Sequence, residues 1–141
     1  MDLIGIKDKI PKDLFDTLEQ SGIKDLRPCQ EKSIKKGLLE GKNLLVCTPT
    51  ASGKTLVAEL AAISSIMEGK GKAIYIVPLK ALANEKFREF SNKYGKFIKI
   101  ALSIGDIDSA DSYLVDYDFI ICTAEKLDSL IRHHTPWLKY V

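Results

Sequence analysis

This sequence is short of every feature that would place it in a specialised class at once. No apolar run approaches the about 20 residues a membrane span needs. The opening stretch, MDLIGIKDKIPKD, does not have the build of a secretory leader. A cytoplasmic chain with no membrane partner is therefore expected. Charge of one sign is also lacking. Lys and Arg number 21 against 19 Asp and Glu, a net +2, too small an excess to argue for a nucleic-acid partner. Cysteine is sparse: Cys29, Cys47 and Cys122 are odd in number and far apart. That excludes a disulfide framework and a zinc site, and leaves reduced thiols. His133 and His134 are adjacent rather than spaced for a metal, and read as a solvated helix end. No internal repeat, low-complexity tract or linker interrupts the chain. Its 141 residues, 45% of them hydrophobic, suffice for one domain with a sizeable core.

What is present is an alternation of helical and strand patterns. IPKDLFDTLEQSG, from Ile10, has Pro11 at its first turn and Gly22 at its stop. RPCQEKSIKKGLLEG repeats the device with Pro28 and Gly41. NLLVCT (43–48) is an apolar run of strand length. KTLVAELAAISSIMEG then places Leu56, Leu60, Ile63 and Met67 at helical spacing. KAIYIVP (72–78), IKIALSIG (98–105) and DFIICT (118–123) read as further buried strands. ALANEKFREFSNKYG and EKLDSLIRHHT read as helices, the second turning Leu127, Leu130 and Ile131 inward. SADSYLVD suits a helical turn. Strands apolar along their length, alternating with helices, predict an α/β fold with a parallel sheet covered by helices on both faces. Ligands of such sheets sit at the carboxyl ends of the strands. Thr48, Pro78, Gly105 and Thr123 all fall there.

The stretch TPTASGKT (48–55) carries the chemistry. A phosphate loop needs a tight turn after a strand, inward N–H groups and a helix starting behind it. Gly53 lets backbone approach phosphate, Lys54 can reach the β and γ phosphates, and Thr55 can put its hydroxyl on Mg²⁺. The usual first glycine of G-x-x-x-x-G-K-[ST] is Thr48 here, and Pro49 stiffens the bend. That departure resembles motif I of superfamily-two helicases. Companion motifs follow in order. LRPCQ (26–30) resembles the adenine-recognition segment of the Ski-two-like group, in which the Gln30 amide would both donate to and accept from the base edge. VPLKALANEK (77–86) resembles motif Ia, SIGD (103–106) the Gly-Asp turn, and TAEKLD (123–128) motif Ib. Each has a plain alternative: a solvated Gln in a first turn, a loop lysine, an ordinary turn, and an N-cap at Thr123. LLEGKNLLV and EKLDSLIRH, with Pro136 and Trp137 behind them, bring the resemblance closest to archaeal Hjm-type DNA-repair helicases. Trp137 itself is expected to pack against the last helix.

The resemblance implies a RecA-like P-loop domain: a leading helical segment over 1–25, then adenine segment and motifs I, Ia and Ib over 26–141. It implies ATP and Mg²⁺ at Gln30, Thr48, Pro49, Thr50, Ala51, Ser52, Gly53, Lys54 and Thr55, with Lys54 and Thr55 catalytic and Thr55 on the metal. It implies single-stranded or forked DNA at Pro78, Lys80, Ala81, Gly105, Asp106, Thr123 and Lys126. The family's Asp-Glu motif II and its second RecA-like domain, with an arginine finger, are absent from these residues. The chain is therefore expected to be a truncated first motor domain, partnered by the remainder of a helicase chain and weak in hydrolysis alone. Open strand edges are expected to follow, with rearranged pairing, self-association or marginal stability. An RNA helicase of the same group, a compact P-loop kinase using Asp106 as metal acid, and a non-catalytic nucleic-acid-binding module stand as alternatives.

Overall fold

The computed structural model describes residues 1–105 and 111–141. The chain divides into two compact units, Met1–Gly69 and Lys70–Val141.

The first unit is helical. A 3₁₀ segment, Leu3–Lys9, is capped by the Asp2 carboxylate on the Gly5 amide. It is followed by α1 (Lys12–Gln20), α2 (Pro28–Lys35) and α3 (Lys54–Met67). Leu14 and Leu18 lie one turn apart on α1 with Phe15 beside them, and all three are buried. Leu56, Leu60 and Ile63 form the matching stripe of α3, as their spacing predicts. Met67 is only half-buried. Helix α2 begins at Pro28 as expected, but ends at Lys35, well short of Gly41. Gly37 then takes φ +100°, a left-handed turn that carries the chain off the helix axis.

The expected strand NLLVCT is not formed. Residues 43–48 join no ladder among the described residues. Burial alternates along the segment: Asn43, Leu45 and Cys47 are exposed, while Leu44, Val46 and Thr48 are half-buried, with Leu45 91% exposed. The period-2 pattern is present, but a strand exists only when a neighbouring edge takes its N–H and C=O groups. None of the described residues supplies that edge.

The second unit is a three-layer α/β body. Strands β1 (Ala73–Val77), β2 (Ile100–Ser103) and β3 (Phe119–Thr123) make a parallel sheet in the order β1-β3-β2. Every residue of the central strand β3 is buried, which accounts for its uninterrupted apolar run. Alternate residues serve opposite faces. Phe119 stacks on Phe90 of α4 (Lys80–Tyr94), ring centroids 5.4 Å apart, with Tyr75 edge-on to Phe90 at 5.2 Å. On the other face Ala101 and Ile120 pack with Leu114, Trp137 and Leu130 of α5 (Ala124–Arg132). Trp137 is 1% exposed, packed with the last helix as expected. On α5 Leu130 is buried, Leu127 half-buried, and Ile131 56% exposed. The inward positions are instead shared by Lys126 and Ser129. Short 3₁₀ segments occupy Ser112–Asp116 and Pro136–Tyr140. Among the described residues, no helix is long and apolar enough to cross a membrane.

Candidate functional site

In the first unit, the loop from Thr48 to Gly53 leads directly into α3. Gly53 stands at the N-cap with φ +89° and ψ 23° and offers no capping side chain. The first-turn amides of α3 thus have no side-chain cap, the situation in which a helix start takes up an anion. A Cβ at Gly53 would lie 2.5 Å from Gln30 Nε2 and 2.9 Å from Arg27 Cδ. The left-handed φ and these contacts both favour glycine here. The group that approaches in this structure is the N-terminal end of α2.

Gln30 is 4% exposed. Its Oε1 accepts from the Arg27 N–H at 2.8 Å, and its Nε2 donates to the Gly53 carbonyl at 2.9 Å. The motif assigns this amide to an adenine edge. In this structure, both ends of the amide already have partners within the chain. Cys29 Sγ donates to the Ser52 carbonyl at 2.9 Å, and an Arg27 guanidinium N–H donates to the Ala51 carbonyl. Three consecutive loop carbonyls, of Ala51, Ser52 and Gly53, are therefore held from Arg27, Cys29 and Gln30. Ala51 adopts φ +62°, a left-handed geometry unusual for a residue with a Cβ.

The loop also binds itself. Lys54 Nζ donates to the Thr48 carbonyl at 2.9 Å, Ser52 Oγ donates to the Pro49 carbonyl at 2.6 Å, and the Thr48 and Ser52 hydroxyls lie 2.5 Å apart. Thr50 is exposed, and Thr55 is half-buried in the first turn of α3. A cleft of about 750 Å³ opens beside this assembly, lined by Arg27, Gln30, Gly53, Lys54, Thr55 and Glu59 among others. That volume falls in the range of small-molecule sites. A second cleft, of about 440 Å³, lies between α2 and residues 42–48. It includes neither Lys54 nor Thr55.

All the expected nucleotide residues are thus brought together in one unit. Arg27, which lies within LRPCQ but is not among the expected site residues, also reaches the loop and lines the cleft. Its position directly before Pro28, at the N-cap of α2, was the available signal. Sequence reasoning missed Glu59, which is 2% exposed and lines the cleft. An acid four residues after Thr55, between Leu56 and Leu60 on a buried face, was the sign.

In the second unit the parallel register sets Val77 beside Thr123 and Ser103 beside Cys122, so the carboxyl ends of the three strands lie side by side. Pro78, Lys80 and Ala81 are exposed at the end of β1 and the start of α4. Leu79, the N-cap residue there, gives no side-chain cap and is 64% exposed. Gly105 is exposed beyond β2. Asp106 and Asp108 lie outside the described residues. Thr123 caps α5, its Oγ1 accepting from the Lys126 amide at 3.4 Å. Lys126 was expected on nucleic acid, and the structure corrects this. Its side chain is 1% exposed and its Nζ lies 3.1 Å from Asp111 Oδ2. Thr123 opens an α-helix whose i, i+3 geometry sends Lys126 under the cap, toward Asp111 and away from solvent. Among the described residues no cluster of His, Cys, Asp and Glu could hold a metal ion.

A glycine-lysine-threonine bend opening a helix over a cleft, followed by a parallel sheet with helices on both faces, defines the chain as a P-loop α/β protein. The chain belongs to the DEAD/DEAH box helicase family, which residues 27–141 match. It is 51% identical over 132 residues to the ATP-dependent DNA helicase Hel308 of Pyrococcus abyssi, covering 94% of this chain and 18% of that protein. It is 51% identical over 135 residues to the Hel308 of Methanocella arvoryzae, covering 92% of this chain and 18% of that one. The Hjm-type kinship expected from the motifs is borne out by these relatives. Among solved structures, the DUF1998 helicase MrfA bound to DNA and AMPPNP superposes with a TM-score of 0.77 at 29% identity. The match covers 94% of this chain and 19% of that one. The chain thus spans less than a fifth of the length of each of these proteins.

Proposed function

We propose that this chain is the nucleotide-binding portion of an ATP-dependent DNA helicase, in which ATP hydrolysis drives movement along single-stranded or forked DNA. The observation that carries this reading is the meeting of Gln30, Gly53, Lys54 and Thr55 around one cleft at the uncapped start of α3. Support comes from what the relatives are named for: DNA helicases, and a helicase crystallised with DNA and the ATP analogue AMPPNP.

The residues present fit a nucleoside triphosphate. The α3 amides, Gly53 and Lys54 suit its phosphates, and Thr55 suits an accompanying Mg²⁺. Lys54 must first leave the Thr48 carbonyl. One Nε2 hydrogen of Gln30 is committed to the Gly53 carbonyl, which leaves its second hydrogen for the base. Bound Mg·ATP supplies the phosphoryl group whose transfer powers the motor. This chain's residues bind the triphosphate, orient it and neutralise its charge. In phosphoryl transfer, acidic metal ligands and a cationic finger account for much of the rate, the finger alone on the order of 10³–10⁵. Turnover therefore belongs to the intact helicase, and these 141 residues alone bind without efficient hydrolysis.

On the second unit, DNA runs over the carboxyl ends of the strands, at Pro78, Lys80, Ala81, Gly105 and the Thr123 turn. The exposed Lys80 and the uncapped start of α4 supply charge and N–H donors to phosphate oxygens. The relatives' names favour DNA over RNA. The compact-kinase alternative has no support from a chain that belongs to the helicase family.

Calorimetric titration with ATP and Mg²⁺ tests the first half of this reading. Binding heat is expected for the wild type and none for Lys54→Ala. A wild-type chain that is folded yet gives no heat would falsify it. Competition between DNA and RNA oligomers of one sequence tests the second half, and RNA displacing DNA would shift the assignment to an RNA helicase.

A further inference from the structure

In the second unit a cleft of about 850 Å³ opens at the amino ends of the strands, at the opposite end of the sheet from Pro78, Lys80 and Ala81. Three segments line it. The end of α4 contributes Asn92 and Lys96, the approach to β2 contributes Lys99, and the 3₁₀ segment contributes Tyr113 and Asp116, with Tyr117 just after it. Tyr113 is 53% exposed and meets Tyr117 at right angles, ring centroids 6.2 Å apart. The backbone behind these side chains is tied down. Lys72 Nζ donates to the Val115 carbonyl at 2.6 Å and to the Tyr117 carbonyl at 2.5 Å. The Tyr117 amide donates to the carbonyl of Leu114, which is fully buried. The Lys99 amide donates to Asp118 Oδ2 at 2.9 Å. Among the described residues, no carboxylate pairs with the ammonium of Lys96 or Lys99. A cation just past the end of α4 complements the helix dipole, which accounts for Lys96 by itself. It does not account for Lys99, or for an exposed tyrosine lining the same cleft.

We propose that this cleft is a second nucleic-acid contact, taking one or two unpaired nucleotides of a single strand: a base stacks on Tyr113, and Lys96 and Lys99 meet the flanking phosphates. Aromatic rings beside cations make sequence-tolerant single-strand sites, because every base has a π-face to stack. Lysine ammoniums on flexible stems follow a backbone without demanding one geometry. Asp116 offsets one of the two charges, so stacking supplies most of the hold and the lysines set the salt dependence. An acidic peptide would engage the lysines and leave the tyrosine ring unused, so the aromatic decides for a nucleobase. The proposal does not depend on ATP binding. It extends the DNA-binding reading to a place that reading does not include, where a second tethered contact raises the effective concentration of the strand.

Hexathymidylate titrated into the isotope-labelled chain at low salt, with amide shifts followed by NMR, reads the two ends of the sheet separately. The cleft predicts shifts at Gly95, Lys96, Lys99 and Tyr113, and the strand-end path predicts them at Lys80 and Ala81. Affinity is taken from the cleft shifts. Tyr113→Leu is expected to lower it about 5- to 150-fold, the worth of one stacked base, while Tyr113→Phe keeps the ring and binds within about twofold of wild type. Lys96→Met is expected to lower the slope of log K against log salt by roughly 0.7. Lys80→Met is expected to leave the cleft shifts in place. Tyr113 and Lys96 are both exposed, so these variants keep the fold, and the rest of the spectrum checks it. Shifts confined to Lys80 and Ala81, or a Tyr113→Leu titration identical to wild type, overturn the proposal and leave the strand-end path standing. Shifts confined to the cleft uphold the proposal and remove the strand-end path. Hexaglutamate that gives the same shifts with equal affinity overturns the proposal in favour of an acidic protein partner. No shift at any amide removes both contacts.

Discussion

Gln30 gives the sharpest test of how the proposed nucleotide cleft is built. If its amide were held in reserve for a base, Gln30→Ala would remove a side chain with no structural task, and stability would stay within about 0.5 kcal/mol. The structure predicts otherwise. The substitution leaves the Arg27 N–H without its acceptor at 2.8 Å and the Gly53 carbonyl without its donor at 2.9 Å. Each neutral hydrogen bond contributes about 0.5–1.5 kcal/mol net, and more is lost when the abandoned partner stays shielded. Loss of the bond at the start of α2 carries the cost of a removed cap, about 1 kcal/mol. These contributions overlap at Arg27, so a total of about 2–3 kcal/mol is expected. With a urea slope of about 2 kcal/mol/M, the midpoint falls by about 1–1.5 M. Unfolding of the nucleotide-free chain, followed by far-ultraviolet circular dichroism, reads this directly. Gln30→Glu is the control. It can still accept from Arg27 but sets a carboxylate against the Gly53 carbonyl, so it should be no more stable than Gln30→Ala. A nucleotide-free Gln30→Ala chain with an unchanged midpoint would refute the idea that this amide ties α2 to the phosphate loop.

The same junction makes Gly53→Ala doubly unfavourable. A left-handed φ costs a residue with a Cβ roughly 1–2 kcal/mol, and the new methyl would meet Gln30 Nε2 at 2.5 Å. ATP affinity and melting temperature should fall together, and a variant that binds ATP as wild type does would contradict the close approach. The three thiols should differ in reactivity, because burial pushes Cys122 up to about 11 while Cys47 is exposed. Alkylation of the native chain near pH 8, read by mass spectrometry, should label Cys47 first and leave Cys122 unlabelled. Rapid labelling of Cys122 would place β3 at the surface. Glu31 accepts from Lys35 Nζ and the N-terminal ammonium, which hold its carboxyl down at about 2 from an ordinary 4.5. Because the folded value is the lower one, its contribution is complete above pH 4.5 and disappears as pH falls toward 2. The stability difference between wild type and Glu31→Gln should therefore be flat between about pH 5 and 7 and shrink as pH falls below that window. A difference that grows with acid would show that the pairing is not formed.

Most helices and three of the four strands could be read along the chain because their information is local. Helix α3 has its glycine, its stripe of Leu56, Leu60 and Ile63, and no competing signal. The runs 72–78 and 118–123 are rich enough in β-branched and aromatic residues to stand as strands. The residues proposed to bind nucleotide could be picked out for a related reason: a phosphate loop is contiguous, and its chemistry constrains neighbouring positions. Where the reading failed, the deciding partner lay far along the chain. NLLVCT has the composition of a strand, but pairing requires a second edge, and nothing within 43–48 can say whether one is supplied. Lys126 looks like a surface cation in TAEKLD. Only the fold brings Asp111, fifteen residues earlier, beneath it, and helical geometry then makes the inward rotamer the paired one. Gln30 and Arg27 belong to the same class, since their partners are carbonyls more than twenty residues away in Ala51 and Gly53. Local pattern thus carried the element types, the phosphate loop and the kinship with helicases. Three-dimensional packing settled which apolar run finds an edge, which charge is enclosed, and which polar groups hold the loop, because each of these depends on atoms that chain order leaves apart.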